Sequence, residues 1–335
     1  MKTVHLTILL AVAATMGAAQ EKITGAGATF PAPIYQKWFA DFHKAHSDVE
    51  INYQSIGSGA GIQQLISGTV DFGASDVPMT DDQISKIKVH TLHFPTVMGA
   101  VVPTYNIQGA PDGLKFSGDT LAGIFMGNIK KWNDPALAKD NPGVKLPAED
   151  IVVVHRSDAS GTSFVWTDFL AKVSPEWKMK VGAAAAVSWP VGLGGRGNEG
   201  VSGTVKQTPN SIGYIELFYA RQNKMPFGAV KNMAGNFVKA SLEAVSEAAA
   251  GAAKNMPADF RVSITNAPGK GAYPISSFTW LLIPSQIPDA KKSAAIKSFL
   301  QWMLADGQKE CSALDYAPLP KEVVAKETKQ IAEVK

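Results

Sequence analysis

The stretch Arg156-Ser157-Asp158-Ala159-Ser160-Gly161-Thr162-Ser163-Phe164-Val165-Trp166 puts a guanidinium, a carboxylate and several hydroxyls into one short run. The chemistry these types suit is the seating of an oxyanion. Arg156 carries a fixed fork of donors matched to phosphate or carboxylate. Ser160, Gly161 and Thr162 precede an apolar helical pattern, where the first backbone N–H groups lack intrahelical partners and carry the positive end of the helix dipole. Asp158 is the odd member, because a carboxylate repels an anion unless it holds Arg156 in place or accepts a proton. A capped helix beside a surface ion pair uses the same residues, and residue types alone leave both readings open.

Such a seat needs a strand to lead in and a helix to lead out. Ile151-Val152-Val153-Val154 is short, β-branched and apolar, which predicts a buried strand. Phe164, Val165, Phe169 and Leu170 recur at helical spacing, so the polar residues fall at the turn between. The arrangement repeats upstream. Ile34, Tyr35, Trp38, Phe39 and Phe42 predict a helix after Pro31 and Pro33, with Thr29 and Phe30 at its entrance. Val49-Glu50-Ile51-Asn52-Tyr53 alternates like a strand and opens into Gly57-Ser58-Gly59-Ala60-Gly61, where glycines admit close backbone approach and Ser58 supplies a hydroxyl. That segment is neither a nucleophile elbow nor a phosphate loop of the Gly-Lys-Ser/Thr kind. A short strand over 70–75 ends at Asp76, which the capping box Thr80-Asp81-Asp82-Gln83 does not need, and which an ordinary turn would also explain.

Further along, 97–106 reads as a long apolar crossover strand and 119–126 as a helix. Residues 212–217 read as a strand, 236–250 as an Ala-rich helix, and 275–283 as a second long strand. Helices are predicted over 289–305 and 321–331. Residues 192–200 match G-x-G-x-x-G, but Pro190 precedes them, so the reading is a loop able to line a cleft. His43 and His46, at i and i+3, lack a third ligand at metal spacing, and His90 and His93 fall on a predicted strand. No metal or cofactor is expected.

With 335 residues, 45% hydrophobic and 18% charged, the chain suits two α/β domains of a globular protein. Residues 1–19 carry Lys2, a short apolar run and Gly17-Ala18-Ala19, the pattern of a secretory signal peptide. No cysteine lies near its end to take a lipid anchor. Removing it lowers the net charge of +3 by one, too balanced for binding nucleic acid by bulk charge. Cys311 is the single cysteine, which excludes an intramolecular disulfide.

Taken together, 24–33, Gly57-Ser58-Gly59, Asp71-Phe72-Gly73-Ala74-Ser75-Asp76 and 156–163 closely resemble the PstS-type periplasmic phosphate-binding proteins, the capture subunits of ABC phosphate importers. The likeness continues through Ile129-Lys130-Lys131-Trp132, 192–200, Ile212-Gly213-Tyr214 and Leu314-Asp315-Tyr316-Ala317. It implies a two-lobed, hinged α/β fold, each lobe a mixed sheet flanked by helices. Lobe I would comprise 20–103 with 274–335 and lobe II 104–273, with crossovers near 103–106 and 273–277. Phosphate would be held by Thr29, Phe30 through its backbone, Ser58 and Asp76 from one lobe and by Arg156, Asp158, Ser160, Gly161 and Thr162 from the other. A periplasmic monomer, not an enzyme, would then deliver phosphate to the permease transmembrane subunits.

One arginine against two aspartates cannot hold an anion by net charge, so neutral donors at helix starts must do most of the binding. Asp158 is expected to brace Arg156, and Asp76 to accept the P–OH proton that sulfate lacks. A site for another oxyanion, arsenate or sulfate, is the nearer alternative. A phosphatase is the remoter one, since neither a base for Ser160 nor a metal cluster is visible.

Overall fold

The computed structural model describes residues 20 to 335, and the leader read at 1–19 lies outside the described residues. The chain runs β1 (Glu21–Gly27), α1 (Ala32–Ala45), β2 (Val49–Ser55), α2 (Ser58–Ile66), β3 (Phe72–Ser75), α3 (Asp81–Ser85) and the long β4 (Thr91–Asn106). It continues through β5 (Lys115–Phe116), α4 (Gly118–Phe125), α5 (Pro135–Asp140), β6 (Val152–Arg156), α6 (Gly161–Val173) and α7 (Pro175–Lys180). Then come β7 (Leu193–Gly195), α8 (Gly197–Gln207), β8 (Ser211–Glu216), α9 (Leu217–Gln222), β9 (Ala229–Lys231) and β10 (Phe237–Lys239). α10 (Leu242–Lys254), β11 (Ser276–Pro284), α11 (Ala290–Trp302) and a last helix over Lys321–Gln330 complete it.

The main sheet follows the order β2-β1-β3-β11-β4-β8-β6-β7. β1, β2 and β3 are parallel, as are β8, β6 and β7, while β11 and β4 run antiparallel to their neighbours. β4 changes partners along its length. Its residues up to Ala100 pair with β11, and Val101 onward pair with β8. All of β4 but Asn106 is buried, as a strand covered on both faces requires. In one lobe, Tyr35, Trp38, Phe39 and Phe42 of α1 pack on the sheet and on Phe299 of α11. In the other, Trp166 stacks on Tyr214 at 5.0 Å and packs against Phe125. These rings fix where α1 and α6 begin, and both helices begin at the cleft.

Three expectations need correction. Residues 192–200 are not a loop: β7 pairs in parallel with β6, and α8 starts at Gly197. Pro190 lies outside the three-residue edge strand, so its missing N–H interrupts nothing. Residues 236–250 are not one helix, because Phe237-Val238-Lys239 pairs with β9, and Ser241 caps α10 by accepting from Ala244 N–H. The helix read over 289–305 ends as regular α-helix at Trp302 and passes into a π-turn over Met303–Gly307. Trp38 Nε1 donates to the Gly307 carbonyl there, at 2.9 Å. The capping box at Thr80 forms as read. His43 Nδ1 lies 2.6 Å from the Val49 carbonyl, and His46 stacks on Phe42. His93 is buried, with Nε2 facing Met79 N–H at 3.1 Å.

Candidate functional site

Thr29 and Phe30 sit between β1 and α1 and are buried. The helix cap is Pro31, which offers no side-chain acceptor; Ala32 N–H donates to the Thr29 carbonyl at 3.3 Å, and Pro33 has no N–H to give. The Thr29 carbonyl accepts from Tyr219 OH at 2.6 Å, and the Phe30 carbonyl accepts from Tyr316 OH at 2.6 Å. Because a trans peptide sets its N–H opposite its carbonyl, the bond from Tyr219 to the Thr29 carbonyl turns the Phe30 N–H away from Tyr219.

α2 is likewise uncapped by any side chain, its cap being Gly57 at φ 95°. An L-residue would be strained there, and its Cβ would lie 2.4 Å from Asp158 Oδ2 across the cleft. Ser58 Oγ accepts from Asp76 N–H at 3.2 Å and from Gly161 N–H at 3.0 Å. Both its lone pairs are filled, one from each lobe, so its own proton is what remains to give.

Asp76 ends β3 and is 1% exposed. Burial pushes its carboxyl up to about 7, against the Thr279 hydroxyl, Arg156 and Ser58, which pull it down. Thr279 donates to Oδ1 at 2.8 Å. The carboxyl is therefore far more basic than an ordinary aspartate and well matched to sharing a proton with a weakly acidic hydroxyl.

Across the cleft, Arg156 ends β6 and is 2% exposed. Its Nε donates to Asp158 Oδ1 at 2.8 Å and its Nη2 to Oδ2 at 2.5 Å. Gly197 N–H, at the start of α8, adds a third bond to Asp158 Oδ1 at 3.1 Å. Burial raises the Asp158 carboxyl, but these donors outweigh it and leave the group below the ordinary carboxylate range. Asp158 is thus an ionised partner that neutralises Arg156. Arg156 Nη1 is buried with no acceptor among the described residues, a charged donor in want of an anion.

Ser160 caps α6, accepting from Ser163 N–H at 3.1 Å, and its hydroxyl proton stays available. A Cβ on Gly161 would lie 2.5 Å from Ser58 Oγ and 2.6 Å from Asp76 Oδ2, so a side chain here would hold the lobes apart. Thr162 is fully buried beside it. The lobes touch directly through Gly59 N–H to the Ala159 carbonyl at 2.9 Å.

All nine residues singled out from the sequence therefore converge on one cleft, at the starts of α1, α2 and α6 and the ends of β3 and β6. Four others do not emerge from sequence reasoning. Tyr219, Tyr316 and Thr279 brace the site from behind, and Asn198 donates through Nδ2 to Thr29 Oγ1 at 2.7 Å and to Thr162 Oγ1 at 3.2 Å. The G-x-G-x-x-G match was the available signal for Asn198, which follows its last glycine.

The profile of the PBP superfamily domain matches residues 12–307. The phosphate-binding protein PstS of Xylella fastidiosa strain Temecula1 is 46% identical over 304 residues, covering 90% of this chain and 83% of that protein. The phosphate-binding protein PstS of Pasteurella multocida is 45% identical, covering 91% and 88%. Among solved structures, the phosphate-binding protein from Stenotrophomonas maltophilia superposes with a TM-score of 0.71 at 20% identity, covering 92% of this chain and 94% of that one, a likeness of fold. By its relatives and by the superfamily profile alike, this chain belongs to the PstS phosphate-binding proteins of the PBP superfamily.

Proposed function

We propose that the protein captures inorganic phosphate between its lobes in the periplasm and hands it to the transmembrane subunits of an ABC-type phosphate importer. The observation that carries this reading is the pairing of a buried, unpartnered Arg156 Nη1 with a buried carboxyl, Asp76, made basic by its surroundings. The first calls for an anion and the second for an anion that bears a proton. Thr29, Ser58, Ser160 and Thr162 would add hydroxyl donors and Phe30 and Thr162 backbone N–H groups, while Gly161, whose N–H holds Ser58 Oγ, would contribute the close approach of the lobes. Sulfate, with no proton near neutral pH, would set its lone pairs against Asp76 wherever that carboxyl is ionised.

Lobes of 20–103 with 274–335, and of 104–273, fit the exchange of partners along β4, and a monomer suffices to build this cleft. Export through the leader at 1–19 accords with a fold neighbour described as a high affinity periplasmic phosphate-binding protein bound with phosphate. We read the site as one of binding rather than turnover, with Ser160 Oγ serving as the cap of α6. The names of the relatives agree.

Titration calorimetry on protein stripped of ligand, with phosphate, arsenate and sulfate in turn, tests the reading. Phosphate is expected to bind at least about 10⁴-fold more tightly than sulfate. Equal affinity for the two would overturn it, and arsenate, with the shape and protons of phosphate, should follow phosphate.

A further inference from the structure

Asn198, the second residue of α8, is fully buried and touches both lobes. Its Oδ1 accepts from Glu216 N–H at 3.0 Å, which fixes the orientation of the amide, since a backbone N–H needs an acceptor. Nδ2 must then face Thr29 Oγ1 at 2.7 Å and Thr162 Oγ1 at 3.2 Å, and the backbone N–H of Asn198 reaches Thr29 Oγ1 at 3.3 Å. Thr29 Oγ1 thereby has both lone pairs filled. Its only remaining hydrogen-bonding capacity is its proton, and the amide presses Thr162 toward the same polarity.

We infer that Asn198 is a positioning residue for closure: it bridges Thr29 of one lobe to Thr162 of the other and, by occupying their oxygens, turns both hydroxyl protons toward the anion. The inference rests on the phosphate reading above and adds to it a residue outside the ligand shell. A hydroxyl that can only donate favours an anion over water, which both donates and accepts. The Thr29 bond joins the lobes, so it forms as they close and holds them closed, whereas the Glu216 bond lies within one lobe.

The experiment compares phosphate binding by the unsubstituted protein and by Asn198→Ala, using calorimetry for affinity and stopped flow for rates. Two donors to an anion are affected, so affinity should fall on the order of 10²-fold, with most of the loss in the dissociation rate because the bridge follows encounter. Asn198→Asp keeps the shape and the acceptor for Glu216 but would draw both hydroxyl protons to itself. It should lose at least as much as Asn198→Ala, whereas a residue acting through shape alone would be milder as Asp. Should either variant fail to fold, the unsubstituted protein still decides. By NMR, the Asn198 side-chain amide should exchange with solvent at least about tenfold more slowly with phosphate bound than after stripping. Variants within about threefold of the parent in affinity, or equal exchange in the two states, overturn the proposal. A parent that gives no phosphate binding sinks the functional reading itself, an outcome distinct from a parent that binds and variants that bind equally well.

Discussion

Lobe I brings Thr29, Phe30, Ser58 and Asp76 to the cleft without a cation among them, whereas lobe II brings Arg156 with Asp158 locked against it. The Arg156 charge is neutralised within its own lobe by two hydrogen bonds, and the α8 start reinforces the carboxylate. Asp76 has no such partner on its own lobe. Its neighbours there are the Thr279 hydroxyl and Ser58, so burial dominates and its carboxyl rises to about 7, while that of Asp158 falls. Two aspartates facing one cleft thus take opposite protonation behaviour, and the difference lies in the deeper burial of Asp76 and in the hydrogen bonds that only Asp158 receives from the guanidinium. One lobe supplies fixed positive donors and the other a proton acceptor. An anion that carries its own proton satisfies both.

The strongest way to break this contrast is to remove the acceptor. Asp76→Asn replaces it with an amide that has no need of a P–OH proton, and phosphate over sulfate selectivity, expected near 10⁴, should collapse by most of that factor. Competition calorimetry reads it, and unchanged selectivity would strip Asp76 of the role. Next in size is Arg156→Ala, which takes away the anion's charged donor and strands Asp158 without its partner. A loss of about 3–5 kcal/mol in phosphate affinity is expected, and less than about 1 kcal/mol would mean that the pair behaves as an exposed one.

The smallest effect sharpens the comparison through pH. Below about pH 4, Asp76 is protonated whether the chain is folded or not. Between there and about pH 7, the unfolded chain releases the proton while the folded, ligand-free protein retains it, so stability must fall as pH rises. Each pH unit across that window takes away roughly 1.4 kcal/mol, so the ceiling is on the order of 4 kcal/mol. Glu216 and Glu327, also buried and raised, add slopes of the same sign in parent and variant alike. Denaturant melts of stripped Asp76→Asn should therefore decline less between pH 4 and 7 than those of the parent; parallel curves would show that Asp76 is not the basic group described here.

Much of the fold was legible because its signals are local. Apolar periodicity placed α1 and α6, a β-branched run placed β6, a long apolar run placed β11, and the Thr80 box marked α3. What failed to show had weak local signals. The start of α8 is Gly197-Asn198-Glu199-Gly200, with no apolar stripe, and β7 is three residues on a sheet edge held by pairing with β6. Likewise Phe237-Val238-Lys239 is a strand only because β9 lies beside it. Tyr219 carries no local signal and Tyr316 enters only within a segment of the family likeness, so neither has a role until their hydroxyls are seen behind Thr29 and Phe30.

By itself, the sequence determined which polar groups stand at which strand-to-helix turns, since side-chain identity and the preferences of caps, glycines and apolar spacing act within a few residues. Only the tertiary structure decided that those turns face one another, that Asn198 bridges two of them, and that Asp76 is basic while Asp158 is not. Those properties depend on desolvation and on partners far along the chain, Thr279 for Asp76 and Thr29 for Asn198, and no local pattern encodes a distance between residues so remote in sequence.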